Sequence, residues 1–198
     1  HPEDKACTDD PDDCSLRGAI QYANISDPSL SYHITLPAGV YTLAEVGSGE
    51  DGNMTGDLDI INHILTLTGE GATQTTINAS TLDRALEILY STVTIEHLGL
   101  INGLVPSGDG GGGAIMNNSS ATLYLDDVLI DHNTVQGTGE SVDYGGGISN
   151  YHVLYVSDST ISNNEACSGG GLVSNNGYAT ITHSTVSDNT ARSGATYC

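Results

Sequence analysis

The chain has 198 residues, 37% of them hydrophobic, with Gly 25, Tyr 10, Phe 0 and Trp 0. Asp and Glu number 25 against four Lys and Arg, a formal net charge of −21, so clustered cations for phosphate are missing and nucleic acid is not an expected partner. No apolar run reaches the ~18 residues of a membrane span, and a single domain over 1–198 is expected at this length.

Residues 1–30 read as a cap. Cys7 and Cys14 flank an acidic turn that brings the two thiols within reach of a disulfide. The other cysteines, Cys167 and Cys198, pair with each other, or Cys198 bonds a neighbouring molecule; both readings are open. There is no CxxC pair, so zinc-finger spacing is absent. Two disulfides in an acidic chain point to an oxidising, extracellular compartment. A start at His1 fits a mature secreted chain and fits an excised segment equally well. Ser15 is an N-cap for Leu16, Ala19, Ile20 and Ala23 at helical spacing. An amphipathic helix here would cover the open end of a strand stack.

Residues 31–90 carry less regular strands at 34–36, 40–43, 58–60, 64–68 and 75–77. From 91 to 198 the chain repeats. Segment 92–103 recurs at 122–133, 153–164 and 178–189, in steps of 30, 31 and 25 residues. Aligned copies give apolar columns Val93/Leu123/Leu154/Ala179, Ile95/Leu125/Val156/Ile181 and Leu100/Ile130/Ile161/Val186. Alternation within a copy predicts strands with one buried face. Matching columns predict strands stacked in register, as in a chain that coils and lays each turn on the last. An antiparallel sandwich explains the alternation but not the columns. Asn133, Asn164 and Asn189 share a turn position, where their amides can bond up the stack as a ladder. Glycine runs at 110–113, 145–147 and 169–171, then Gly194, mark tight bends or close approach of successive coils. The insertion at 136–143 falls where a surface loop is expected.

Cys14-Ser15-Leu16-Arg17-Gly18-Ala19-Ile20 resembles the CSLREAI signature at the head of many secreted bacterial β-helix proteins, with Gly18 where that family has Glu. Segment 34–43 resembles the family's first coil, and 56–60 and 65–72 resemble its next ones. The glycine-rich coils resemble choice-of-anchor Q and polymorphic outer-membrane-type repeats within the pectate-lyase-like class. The resemblance implies an all-β fold, a single-stranded right-handed parallel β-helix (β-solenoid) with a short N-terminal capping helix. It also implies secretion to a bacterial cell surface, and structural proteins, adhesins and passengers as the functional company.

Relatives of that class cleave acidic polysaccharides, but Lys5, Arg17, Arg84 and Arg192 form no basic cluster to hold a polyuronate, and a charge of −21 repels one. No catalytic residue is therefore assigned, and a polysaccharide lyase or hydrolase is the remote alternative. The column His97, Asp127, Asp158, His183, with Asp126 beside it, puts carboxylates about 5 Å apart on successive rungs. Like charges that close recruit a cation or raise a pKa, so Asp126, Asp127 and Asp158 are the candidate ligands of a structural Ca2+; no other cofactor is expected. Asp9, Asp10, Asp12 and Asp13 resemble a calcium loop only loosely. Asn24, Asn53, Asn78, Asn117 and Asn118 stand in Asn-x-Ser/Thr sequons. The functional expectation is a non-catalytic extracellular structural protein, a cell-surface or filament subunit that self-associates end to end. The alternative is an adhesin or glycan-binding module using the outward tyrosines Tyr124 and Tyr155, which a cross-strand ladder explains as well.

Overall fold

The computed structural model describes residues 14–137 and 144–192. Helix α1 (Leu16–Ile25) begins where the Ser15 side chain accepts the Gly18 N–H, satisfying a donor that a helix start leaves unpaired. Its Leu16, Ile20 and Ala23 are buried.

Nineteen strands follow among the described residues. The less regular region holds β1 (Ser31–Thr35), β2 (Gly39–Thr42), β3 (Leu58–Ile61), β4 (Ile64–Thr68), β5 (Thr75–Asn78) and β6 (Leu86–Leu89). The next two cycles comprise β7 (Thr92–Ile101), β8 (Leu104–Val105), β9 (Ile115–Asn117), β10 (Thr122–Asp131), β11 (Thr134–Val135) and β12 (Ile148–Asn150). The remainder are β13 (Val153–Ser157), β14 (Thr160–Ser162), β15 (Glu165–Ala166), β16 (Leu172–Ser174), β17 (Tyr178–Thr182), β18 (Thr185–Ser187) and β19 (Thr190–Ala191).

Every pairing between these strands is parallel. They form three sheets. One has ten strands and runs β1-β4-β7-β10-β13-β17, with β2, β5, β14 and β18 continuing the same rungs. A five-stranded sheet runs β16-β12-β9-β6-β3, and a four-stranded sheet runs β19-β15-β11-β8. From β7 onward the chain visits the ten-, four- and five-stranded sheets in that order, again and again. The register joins Val93 to Leu123, Leu154 and Ala179, and Ile95 to Leu125, Val156 and Ile181. The columns read from the sequence are therefore hydrogen-bonded rungs.

Two rows of left-handed residues bend the chain at each cycle. One is His97, Asp127, Asp158 and His183 (φ 56, 49, 49 and 50°), the other Asn102, His132, Asn163 and Asp188 (φ 57, 56, 53 and 57°). Asn, Asp and His tolerate this backbone better than β-branched residues. Inside the bends, one apolar cluster runs from Leu16 to Ile161, and Val105, Val135 and Ala166 form a small satellite. Each fully buried Leu or Ile contributes about 1.5–3 kcal/mol.

Polar ladders close the corners. Asn133 Nδ2 donates to Asn164 Oδ1 (2.9 Å), and Asn164 Nδ2 donates to Asn189 Oδ1 (3.0 Å). The same oxygens accept the backbone N–H groups of Asn133 and Asn164. A second ladder joins Asn117 to Asn150 (2.6 Å) and Asn150 to Ser174 (2.9 Å). The glycine runs interlock below: a Cβ on Gly146 would lie 2.4 Å from the Gly170 carbonyl oxygen and 2.5 Å from that of Glu165.

Candidate carboxylate cluster and strand edges

Helix α1 lies against the edge of β3 and supplies it with bonding partners. Asn24 Nδ2 donates to the Asp59 carbonyl (2.7 Å), and Asn24 Oδ1 accepts the Ile61 N–H (3.0 Å). Asn53 holds Asp59 twice: its backbone N–H donates to the carboxylate Oδ2 (2.8 Å), and its side-chain Oδ1 accepts the Asp59 N–H (3.3 Å). Arg17 reaches across from α1 to the carbonyls of Gly56 (2.7 Å) and Asp57 (2.6 Å). Glu50 closes the connecting loop by accepting the N–H groups of Gly52, Met54 and Thr55.

Beneath this cover both faces of β3 are buried. Leu58 and Ile60 face the apolar core, so the two-residue period puts Asp57 and Asp59 on the opposite face. Asp59 pairs in register with Glu87 of β6. Donor oxygens of Asp57, Asp59 and Glu87 all lie within 4.8 Å of one another, the one such group of three among the described residues. Arg84 inserts its guanidinium, with Nη1 3.2 Å from Asp57 Oδ2 and 2.7 Å from Glu87 Oε2. Its Nη2 donates to the Asp109 carbonyl, and Asn118 Nδ2 donates to Glu87 Oε1. Asp83, 1% exposed, is a fourth buried carboxylate, and a Cβ on Gly56 would lie 2.8 Å from its Oδ2.

Burial governs the ionisation of this cluster. It pushes Asp57 well above the ordinary carboxylate range; Arg84 opposes it, while Asp59, Asp83 and Glu87 add to the rise. Burial likewise raises Asp59 to about 7 against the hydrogen bond from Asn53. Glu87 and Asp83 are raised by burial too, with Arg84 opposing in both cases. For Arg84, burial works against the charge, but Asp57 and Glu87 outweigh it and hold the guanidinium above its usual range.

The carboxylates expected as metal ligands are placed apart from the cluster above. Asp126, Asp127 and Asp158 form no three-carboxylate group. Asp126 accepts the Ser157 hydroxyl (2.6 Å), Asp127 Oδ2 pairs with His97 Nδ1 (2.9 Å), and Asp158 is exposed. Left-handed backbone at Asp127 and Asp158 accounts for their column: it is a row of bends. Asn133, Asn164 and Asn189 occupy the ladder described above. Two sequons meet a physical obstacle: Asn53 and Asn117 are 1% and 0% exposed. Their amide nitrogens donate to the Arg17 carbonyl and to Asn150 and the Val153 carbonyl, which leaves no room for a glycan. Asn24, Asn78 and Asn118 are half-buried. Neither Cys14 nor Cys167 is a free thiol, but Cys7 and Cys198 lie outside the described residues, as do Asp9, Asp10, Asp12, Asp13 and Gly194.

The tyrosine pair is a ladder. Tyr124 and Tyr155 stack with centroids 5.0 Å apart and planes 8° from parallel, so each ring covers a face of the other. The residues missed by sequence reading are Asp57, Asp59, Asp83 and Glu87 acting together. The available signal was Asp-Leu-Asp-Ile in a strand whose apolar residues alternate, which places two carboxylates on one face.

The rung of β17 and β18 is different. All five residues of β17 are exposed, and Tyr178, Ile181 and Val186 are 80%, 40% and 52% exposed. At the opposite end, β1 and β2 are the outermost strands of the ten-stranded sheet, with Ser31, His33, Thr35 and Val40 exposed. No helix among the described residues is long and apolar enough to cross a membrane. No family model, curated protein or solved structure matches the chain.

Proposed function

We propose that the chain is a non-catalytic structural protein of a bacterial extracellular surface, a right-handed parallel β-helix whose copies add end to end. Parallel strands of one sheet joined by crossovers are right-handed in nearly all proteins, which supports that hand for the cycling path. The resemblance of segment 14–20 to secreted β-helix signatures accords with the location.

The observation that carries the reading is the exposure of β17 and β18 among the described residues. Ile181 and Val186 continue columns whose inner members Leu125 and Ile130 are each 1% exposed. The surface that fits such a rung is another rung of the same pattern, and a second copy offers one. Through β4 and β5 the register aligns Tyr32 with the Ala179 column, Ile34 with the Ile181 column and Tyr41 with the Val186 column. A parallel strand edge at each end makes the contact head-to-tail, and a head-to-tail contact that does not close builds a filament. With a net charge of −21, copies repel at low ionic strength, so association strengthens as salt screens them.

Sedimentation and electron microscopy of the full chain at rising concentration and salt test this. Oligomers or fibres are expected, and Ile181→Lys with Val186→Lys should leave a folded monomer with an unchanged circular-dichroism spectrum. A wild-type chain that stays monomeric under all these conditions overturns the reading.

A further inference from the structure

We propose that Asp57, Asp59 and Glu87 form a buried binding site for a hard divalent cation, with Ca2+ as the ion that fits. Carboxylate oxygens bind Ca2+ at about 2.3–2.6 Å, so two oxygens on opposite sides of one ion stand about 5 Å apart. The donor oxygens here all lie within 4.8 Å of one another. They include neither thiolate nor imidazole, the donor set that suits Ca2+ rather than zinc.

The second observation is an orphaned oxygen. Asp59 is 0% exposed, yet its Oδ1 has no hydrogen-bond partner. A buried carboxylate oxygen without a donor is unfavourable, and a bound cation supplies what the protein does not. Asp83 Oδ2, also buried, lacks a hydrogen-bond partner as well.

The charge balance points the same way. Asp57, Asp59, Asp83 and Glu87 are all buried, and Arg84 makes ion pairs with Asp57 and Glu87. Arg17 directs its guanidinium at the carbonyls of Gly56 and Asp57. When ionised, the four carboxylates exceed these two guanidiniums by two charges, which one divalent ion balances. The site is held by α1, β3 and β6, so an ion there would pin the helix to the first rungs of the stack. This cluster is remote in the fold from the exposed rung of β17 and β18 and independent of self-association.

The test is calorimetric titration of the chelator-stripped full chain with CaCl2, paired with thermal unfolding. One saturable equivalent is expected, with a rise in melting temperature. Asp59→Asn should weaken binding at least about tenfold while keeping the native circular-dichroism spectrum, and Asp127→Asn should bind like the wild type. Glu87→Gln serves the same purpose if Asp59→Asn fails to fold. Absence of a saturable equivalent overturns the proposal; protons then balance the cluster. An equivalent that survives both Asp59→Asn and Glu87→Gln, or one lost in Asp127→Asn, also overturns it.

Discussion

The two ends of the stack are built from the same columns and live in different environments. Ile95, Leu125, Val156 and Ile181 occupy successive rungs of one column, at 0%, 1%, 2% and 40% exposure. At the first rungs, α1 and Asn53 supply edge donors and acceptors to β3, so carboxylates on the outer face of that strand are sealed in. At the last rungs nothing among the described residues does this for β17 and β18, and apolar columns meet water. A residue in this fold is thus buried by the rung that follows it, and identical side chains contribute differently according to their place in the pile.

Removing a charge from the sealed end should have the largest effect. Arg84→Met strips Asp57 and Glu87 of their countercharge, and breaking a buried pair from one side costs about 3–5 kcal/mol. Urea unfolding in the presence of chelator measures it; a loss near zero would mean that the carboxylates are neutral without Arg84. The column itself can be split next. Leu125→Ala should cost about 2–5 kcal/mol through the cavity it leaves, and Ile181→Ala under about 1 kcal/mol in the monomer, since its rung is open. Equal losses would erase the distinction between interior and end.

Gly146→Ala probes the close approach of rungs. The added methyl would press on the carbonyls of Gly170 and Glu165, and overpacking of this kind costs about 1–3 kcal/mol. The smallest effect is expected at Asp131. Burial alone would raise its carboxyl, but Asn163, Ser162 and His132 outweigh burial and hold it below the ordinary range. Its contribution is therefore present above the unfolded carboxylate pKa and disappears as pH falls through the lowered folded value. Asp131→Asn should flatten the acid limb of the stability–pH curve by less than about 1 kcal/mol, the partner groups being partly solvated. An unchanged acid limb would remove Asp131 from the account.

Much of the stack was legible before any coordinates. The Val93 and Ile95 columns announced themselves because a period of two within strands and a recurring step between them are one-dimensional signals. Asn133, Asn164 and Asn189 were readable for the same reason. The acidic bend column was visible too: Asp127 and Asp158 both take left-handed backbone, a conformation that favours such residues, and recurrence alone does not distinguish a bend from a ligand set. The strands β8, β11, β15 and β19 are two residues each, too short to carry a period.

What the chain's letters determined is the repeat: parallel strands in register, turn asparagines above one another, glycines where backbones touch. What only the folded arrangement decided is which positions are sealed from water. Asp59 and Glu87 are separated by 28 positions and look like ordinary surface acids in a chain with a net charge of −21. They become a buried pair because Arg17, Asn24 and Asn53 arrive from outside the repeat to cover them. Periodicity reports which way a side chain points; burial depends on what lies across from it, and that is a property of three dimensions.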